Sequence, residues 1–181
     1  FHFDCDGTYE YGDYTIRCYH GEAHGSQDLA QAFANSCNGA FSTMGLGLNL
    51  TQFNSLASQL LFNSSLPLSL PYKESSFVMG EGADEWERLQ TSIGQGKTQI
   101  TPMHNLMITA AVANGGTLMK PYMIDHVENA GGQTVKKFLP EAYGTLMSSE
   151  DASVLSDLMT AVVTDGTGSA LRGAPYTAAG K

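Results

Sequence analysis

The residues best placed for chemistry are Ser36-Cys37-Asn38, inside the stretch Ala32 to Phe41. A short apolar run of helical character ends at Asn35, and a second begins at Ala40. A hydroxyl and a carboxamide two residues apart, held between two packed helices, make a rigid polar step. The hydroxyl can pass a proton, and the amide can both donate to and accept from a substrate peptide. The competing reading is that Ser36 or Asn38 merely caps the next helix. Other chemistry-bearing residues are weaker. Cys18, His20 and His24 are soft metal ligands, but Gly21 and Gly25 oppose a shared helical face and no second cluster completes four ligands. They read as a structured loop without a metal. Gly96-Lys97-Thr98 resembles the end of a phosphate loop, yet Thr91 stands where that loop needs glycine and no strand precedes it. His104 falls off the apolar stripe of its helix and reads as a surface or partly buried side chain.

The 181 residues suggest one domain or a piece of a larger one. A hydrophobic content of 42% is enough for a core. Eighteen acidic against nine basic side chains leave a net charge of −9, which argues against nucleic acid as a partner. No apolar run approaches the ~20 residues that span a bilayer. Three cysteines, Cys5, Cys18 and Cys37, are too few for a disulfide framework, and a Cys5–Cys18 bridge stays open.

The elements that would position the step follow from local signals. Residues 1–25, rich in Gly, Tyr and Asp, predict a loop or twisted hairpin. Ser26 is the expected N-cap of the first helix, with Asp28 in its first turn and Leu29 and Phe33 facing a core. Gly39 to Gly47 predicts a short helix. Thr51 to Phe62 predicts an amphipathic one, with Phe53, Leu56, Ala57, Leu60 and Leu61 on a single face. Residues 63–80, with Pro67 and Pro71, read as extended surface chain. Ala83 to Thr91 predicts a helix with Trp86 and Leu89 inward. Thr101-Pro102 opens another, with Met103, Leu106, Met107 and Ala110 buried and Asn114-Gly115-Gly116 ending it. Thr117 to His126 and Gln133 to Phe138 predict two strands of one hairpin. Ser148 with Asp151 starts the last helix, whose inward face is Ala152, Leu155, Met159 and Val162. Tyr176 to Ala179 look like the start of a strand.

Taken together, Ser36-x-Asn38, Ile93-Gly94-Gln95-Gly96, Thr101-Pro102, Ala113-Asn114-Gly115-Gly116, Gly166-Thr167-Gly168 and Ala179-Gly180-Lys181 occur in that order. The set closely resembles the transpeptidase domain of the penicillin-binding proteins, most closely the monofunctional class B type, from about His24 onward. The catalytic signatures of this group are Ser-x-x-Lys, Ser-x-Asn and Lys-Thr-Gly. Only the second is complete here. No serine begins a Ser-x-x-Lys, Ser69 and Lys73 having the wrong spacing, and the third is represented by Lys181 alone.

The resemblance implies an α/β fold of the penicillin-recognising serine transferase type, here mainly its helical subdomain plus a hairpin. It implies a partial domain over residues 1–181, with the nucleophilic Ser-x-x-Lys and the remaining sheet strands outside this chain. The parent would be a peptidoglycan D,D-transpeptidase that cross-links stem peptides through a serine acyl-enzyme and is acylated by β-lactams. A β-lactam sensor, a β-lactamase relative and a non-catalytic scaffold piece are the alternatives. Ser36 would relay a proton, Asn38 would hold the substrate amide, and Gly180 and Lys181 would border the substrate, with the Lys181 amine in reach of the Ser36 hydroxyl. The implied partners are stem peptides, β-lactams and the other segments of its own domain, without cofactor or metal. The implied location is the extracytoplasmic face of the bacterial membrane, with an anchor outside this chain. The chain alone is therefore expected to take no covalent label from a fluorescent penicillin in intact-mass analysis. A stoichiometric adduct on any of its serines would overturn the fragment expectation.

Overall fold

Asp28, rather than Ser26, opens the first helix. In the computed structural model of the chain, which describes residues 1–80 and 82–181, the Asp28 carboxylate accepts the Gln31 N–H at 2.8 Å. The Gln31 side chain accepts the Asp28 N–H at 2.9 Å, completing a capping box for Leu29–Ala34 (α1). Ser26 is taken up instead by a short strand, Gly25–Gln27 (β4), paired antiparallel with Phe3–Cys5 (β1). Between them Thr8–Tyr11 (β2) and Tyr14–Arg17 (β3) form a hairpin, and Gly12 takes the left-handed backbone of its turn. The segment 1–25 is thus a hairpin framed by a second strand pair.

The remaining helices are Asn38–Gly47 (α2), Leu50–Gln59 (α3), Glu85–Ser92 (α4), Pro102–Ala113 (α5) and Ser149–Thr164 (α6). Asn49, Asp84, Thr101 and Ser148 each accept a backbone N–H from the first turn of the helix they precede. Helix α2 packs on α4, α1 on α6, and α5 on α6. Two small apolar cores result. One gathers Cys5, Cys18, Ala32, Cys37 and Ala40 with Phe3, and the other centres on Leu66, Met107, Ala111, Leu118 and Leu146.

Several expected faces turn differently. Trp86 is exposed and stacks on Tyr14 at 5.1 Å, so Leu89 alone of that pair is buried. On α5, Met103 and Leu106 face outward while His104, Met107, Ala111 and Val112 are buried. The helix is apolar nearly all round, so periodicity could not select its inner side. His104 turns inward because its Nε2 bonds the Leu60 carbonyl at 2.7 Å and its ring lies against Phe62. The expected strand from Thr117 breaks at Pro121, which has no N–H to give a ladder. Thr117–Met119 (β5) pairs with Ala142–Thr145 (β8), and His126–Glu128 (β6) pairs with Thr134–Lys137 (β7). Residues 176–179 form no strand among the described residues. They run as irregular chain, tied down where the Gly180 N–H reaches the Met159 carbonyl at 3.0 Å.

Where α6 ends, the chain passes very close to the end of α1. The Thr167 N–H donates to the Ala34 carbonyl at 3.1 Å, and a Cβ added to Gly166 would lie 2.1 Å from that same oxygen. Gly166→Ala is therefore expected to cost about 2 kcal/mol or more, by forcing backbone apart in a packed region. Gly47→Ala, in a helix with open space around it, should instead stabilise by roughly 0.5–1 kcal/mol. Thermal melts of the two variants should shift in opposite directions, and equal shifts would remove the close-approach account.

Candidate active site

Ser36 stands on a backbone step that the helices on either side cannot relax. Its φ is +54°, in the left-handed region that a non-glycine residue enters at a cost. The step is held because the Ser36 N–H donates to the Phe33 carbonyl at 3.2 Å and the Cys37 N–H to the Ala32 carbonyl at 3.0 Å. Gly166 and Thr167 press on Ala34 from the other side. The backbone then places Ser36 outward, Cys37 fully buried and Asn38 half-buried at the start of α2. Neither polar residue is a cap. Cys37 occupies the N-cap position and makes no side-chain cap bond. The Asn38 side chain crosses to β3, its Nδ2 donating to the Arg17 carbonyl at 2.8 Å.

Lys181 arrives at this step from 145 residues away. Its Nζ donates to the Ser36 Oγ at 2.5 Å and to the Phe33 carbonyl at 2.6 Å. The same amine lies 4.7 Å from the Phe33 ring centre and 5.8 Å from that of Phe41. The residue as a whole is exposed, but its charged end is enclosed by rings and carbonyl. That burial holds the Lys181 amine below the ordinary lysine range. Ser36, Asn38 and Lys181 line one pocket of about 340 Å³, with Phe41, Ser92, Ile93 and Gly94 as its other walls. Gly180 lies outside that pocket, in a neighbouring groove with Phe33 and Met159.

The sequence pattern of Ile93-Gly94-Gln95-Gly96 did not disclose what holds this wall. Glu87, buried on α4, accepts the Lys97 backbone N–H at 3.1 Å and the Thr91 hydroxyl at 3.2 Å. Its other oxygen lies 3.6 Å from the Lys97 amine. Gly94 and Gly96 both take positive φ, so the turn folds over this carboxylate and presents Ile93 and Gly94 to the pocket.

Behind the step, the expectation that no fourth ligand joins Cys18 and His24 is corrected. Cys5, Cys18, His24 and Cys37 bring one ligand atom each to within 4.8 Å of one another. His20, proposed alongside them, is not in the group and stacks edge-on with Tyr19. No disulfide joins the cysteines, and the Cys5 and Cys18 sulfurs are 3.7 Å apart. Burial pushes the Cys18 thiol up to about 11. Burial acts on Cys5 in the same direction, but the backbone N–H groups of His24 and Gly7 and the neighbouring thiols outweigh it and hold Cys5 below its ordinary value.

The fold is that of a transpeptidase-type domain. Residues 1–181 match the penicillin binding protein transpeptidase domain, and the chain belongs to that family. Its α/β fold is that of the penicillin-recognising transpeptidase domains. It is 31% identical over 133 residues to the peptidoglycan D,D-transpeptidase PbpA of Mycolicibacterium smegmatis, covering 74% of this chain and 27% of that protein. It is 27% identical over 169 residues to stage V sporulation protein D of Bacillus subtilis, covering 92% of this chain and 25% of that one. The D,D-transpeptidase domain of a peptidoglycan glycosyltransferase from Eggerthella lenta superposes with a TM-score of 0.89 at 28% identity, covering 99% of this chain and 47% of its own. An imipenem acyl-enzyme of penicillin-binding protein A from M. tuberculosis superposes with a TM-score of 0.78 at 25% identity, covering 90% and 38%. The chain spans about a quarter of the length of these curated relatives.

The Lys181 environment gives a pH prediction. Its folded-state pKa lies below the unperturbed value of 10.5, so between the two the unfolded chain holds the extra proton. Stability should therefore rise with pH through that window. Titration of the Lys181 side chain by NMR should give a midpoint below 10.5, and a midpoint at or above 10.5 would remove the burial argument.

Proposed function

We propose that this chain forms part of a peptidoglycan D,D-transpeptidase that cross-links stem peptides through a serine acyl-enzyme and is acylated by β-lactams. The carrying observation is the 2.5 Å contact between the Lys181 amine and the Ser36 hydroxyl, in a pocket shared with Asn38. Its similarity to peptidoglycan D,D-transpeptidases and to an imipenem acyl-enzyme of penicillin-binding protein A supports the same reading. The nucleophilic serine and its lysine come from a part of the domain outside these 181 residues. The parent is anchored at the extracytoplasmic face of the bacterial membrane by a segment that is also outside them.

The geometry fits a proton relay. The Ser36 Oγ accepts from Lys181, which leaves its own O–H to donate into the pocket. When an incoming serine attacks a D-Ala-D-Ala carbonyl, the departing amine needs a proton, and Ser36 can give it and recover one from Lys181. An amine that burial holds below the usual lysine range gives up that proton more readily than a free lysine does. Asn38 gives one Nδ2 hydrogen to the Arg17 carbonyl, and its Oδ1 can accept from a substrate amide. The ammonium form of Lys181 favours a substrate carboxylate close by. A β-lactam carries the same carbonyl and carboxylate pair and fits the same contacts.

Ser36→Ala and Asn38→Ala in the parent protein should each slow acylation by a fluorescent penicillin by ~10²-fold or more. The Ser36 variant should melt almost unchanged, and the Asn38 variant should lose only its bond to the Arg17 carbonyl, about 1 kcal/mol. Normal acylation with a melting point several degrees lower would assign both residues to structure alone.

A further inference from the structure

We propose that Phe33 and Phe41 are positioning residues that hold the Lys181 ammonium against their ring faces and keep it charged beside Ser36 in place of a counter-ion. The two rings come from either side of the polar step. Phe33 precedes Ser36 on α1, and Phe41 follows Asn38 on α2. Both are half-buried, and their ring centres are 6.1 Å apart with the planes tilted by 58°. The Lys181 Nζ stands 4.7 Å from the first centre and 5.8 Å from the second, both within the roughly 6 Å over which a ring face attracts a cation. Phe33 holds the amine twice, since its carbonyl also accepts from Nζ at 2.6 Å.

The rings matter because no acid balances the charge. Lys181 makes no ion pair among the described residues. Apart from Lys181 itself, no residue lining the Ser36 pocket or the neighbouring Gly180 groove has a titratable side chain. The walls that α1, α2, the α4 end, α5 and α6 give to these two spaces are therefore neutral. Burial of the amine favours its uncharged form. A ring face acts in the opposite direction, because its negative quadrupole attracts the cation and leaves the neutral amine almost unaffected. The lysine of the nucleophile segment, which the transpeptidase reading brings in from outside these residues, would add repulsion rather than balance.

The consequence lies in which form of the amine meets the substrate. An ammonium has three donors, and the Ser36 hydroxyl and Phe33 carbonyl take two, which leaves the third for a substrate carboxylate. A neutral amine would offer that carboxylate no charge and Ser36 no spare proton. The aromatic clamp therefore sets the alkaline end of the pH range over which the site works. That effect on acyl transfer rests on the transpeptidase reading, whereas the clamp rests on the ring and amine geometry alone.

The test uses the parent protein with trifluorinated phenylalanine in place of Phe33 or of Phe41. Such a ring nearly keeps the shape of phenylalanine and loses most of the negative potential on its face. The Lys181 side chain, followed by NMR, should titrate at a lower pH than in the unmodified protein, with the larger change for Phe33. The alkaline limb of penicillin acylation should move to lower pH with it. At a fixed pH on that limb, fluorination of Phe33 should slow acylation by about 2- to 30-fold, the range that one cation–ring contact supports. Below the limb the rate should stay the same, and so should the melting temperature. A Lys181 midpoint that ignores fluorine at both positions would overturn the clamp, and one that responds at position 33 alone would overturn the part given to Phe41. A midpoint that moves while the limb stays fixed would overturn the effect on acylation. A protein that penicillin does not acylate at any pH, but whose Lys181 midpoint follows fluorination, would uphold the clamp and instead defeat the transpeptidase reading.

Discussion

One carbonyl oxygen, that of Phe33, ties the pocket together. It accepts the Ser36 N–H, which holds the serine in its left-handed conformation, and it accepts the Lys181 amine, which brings in the far end of the chain. A carbonyl has two lone pairs, and here each serves a different part of the site. Strain at Ser36 is tolerable only because this carbonyl, the neighbouring Ala32 carbonyl and the packing of Gly166 on Ala34 leave the step no lower-energy alternative. The helices α1, α2 and α6 are arranged around that requirement.

The second organising force is the fit of helix against helix at positions without side chains. Gly45 on α2 lets Ser92 of α4 approach so closely that an added Cβ would meet its hydroxyl at 1.6 Å. Arg88 then spans the gap to the carbonyls of Gly45 and Leu46. This contact carries the α4 end, and with it Ile93 and Gly94, to the pocket wall. Glu87 completes the wall by folding the following turn over its carboxylate. Pocket shape thus depends on residues with no polar atom in the pocket itself.

Local signals in the sequence were legible where the structure is decided locally. Thr101-Pro102 and Ser148 start their helices as read, because an N-cap is settled within one turn. Ser26 failed as a cap because strand pairing with Asp4 claimed it, a contact that no nearby residue announces. Met103 and Leu106 were misplaced because α5 offers apolar side chains on every face. The same holds for His104, whose burial depends on a Leu60 carbonyl from another helix end. The meeting of Ser36 with Lys181 came from family resemblance, not from spacing, and the convergence of Cys5 and Cys37 on Cys18 and His24 was hidden because each sits on a different element.

The separation of Ser36 from Lys181 also has a meaning in time. A ribosome adding roughly 5–20 residues per second needs about 7–29 s to make the 145 residues between them. For most of that interval Ser36 and the Phe33 carbonyl lack the amine, and α1 lacks Gly166 against its end. The contact of Lys181 with Ser36 forms only when the last segment folds back, a closure over 145 residues. A chain whose later half misfolds would lack both the amine at Ser36 and the glycine packed on Ala34.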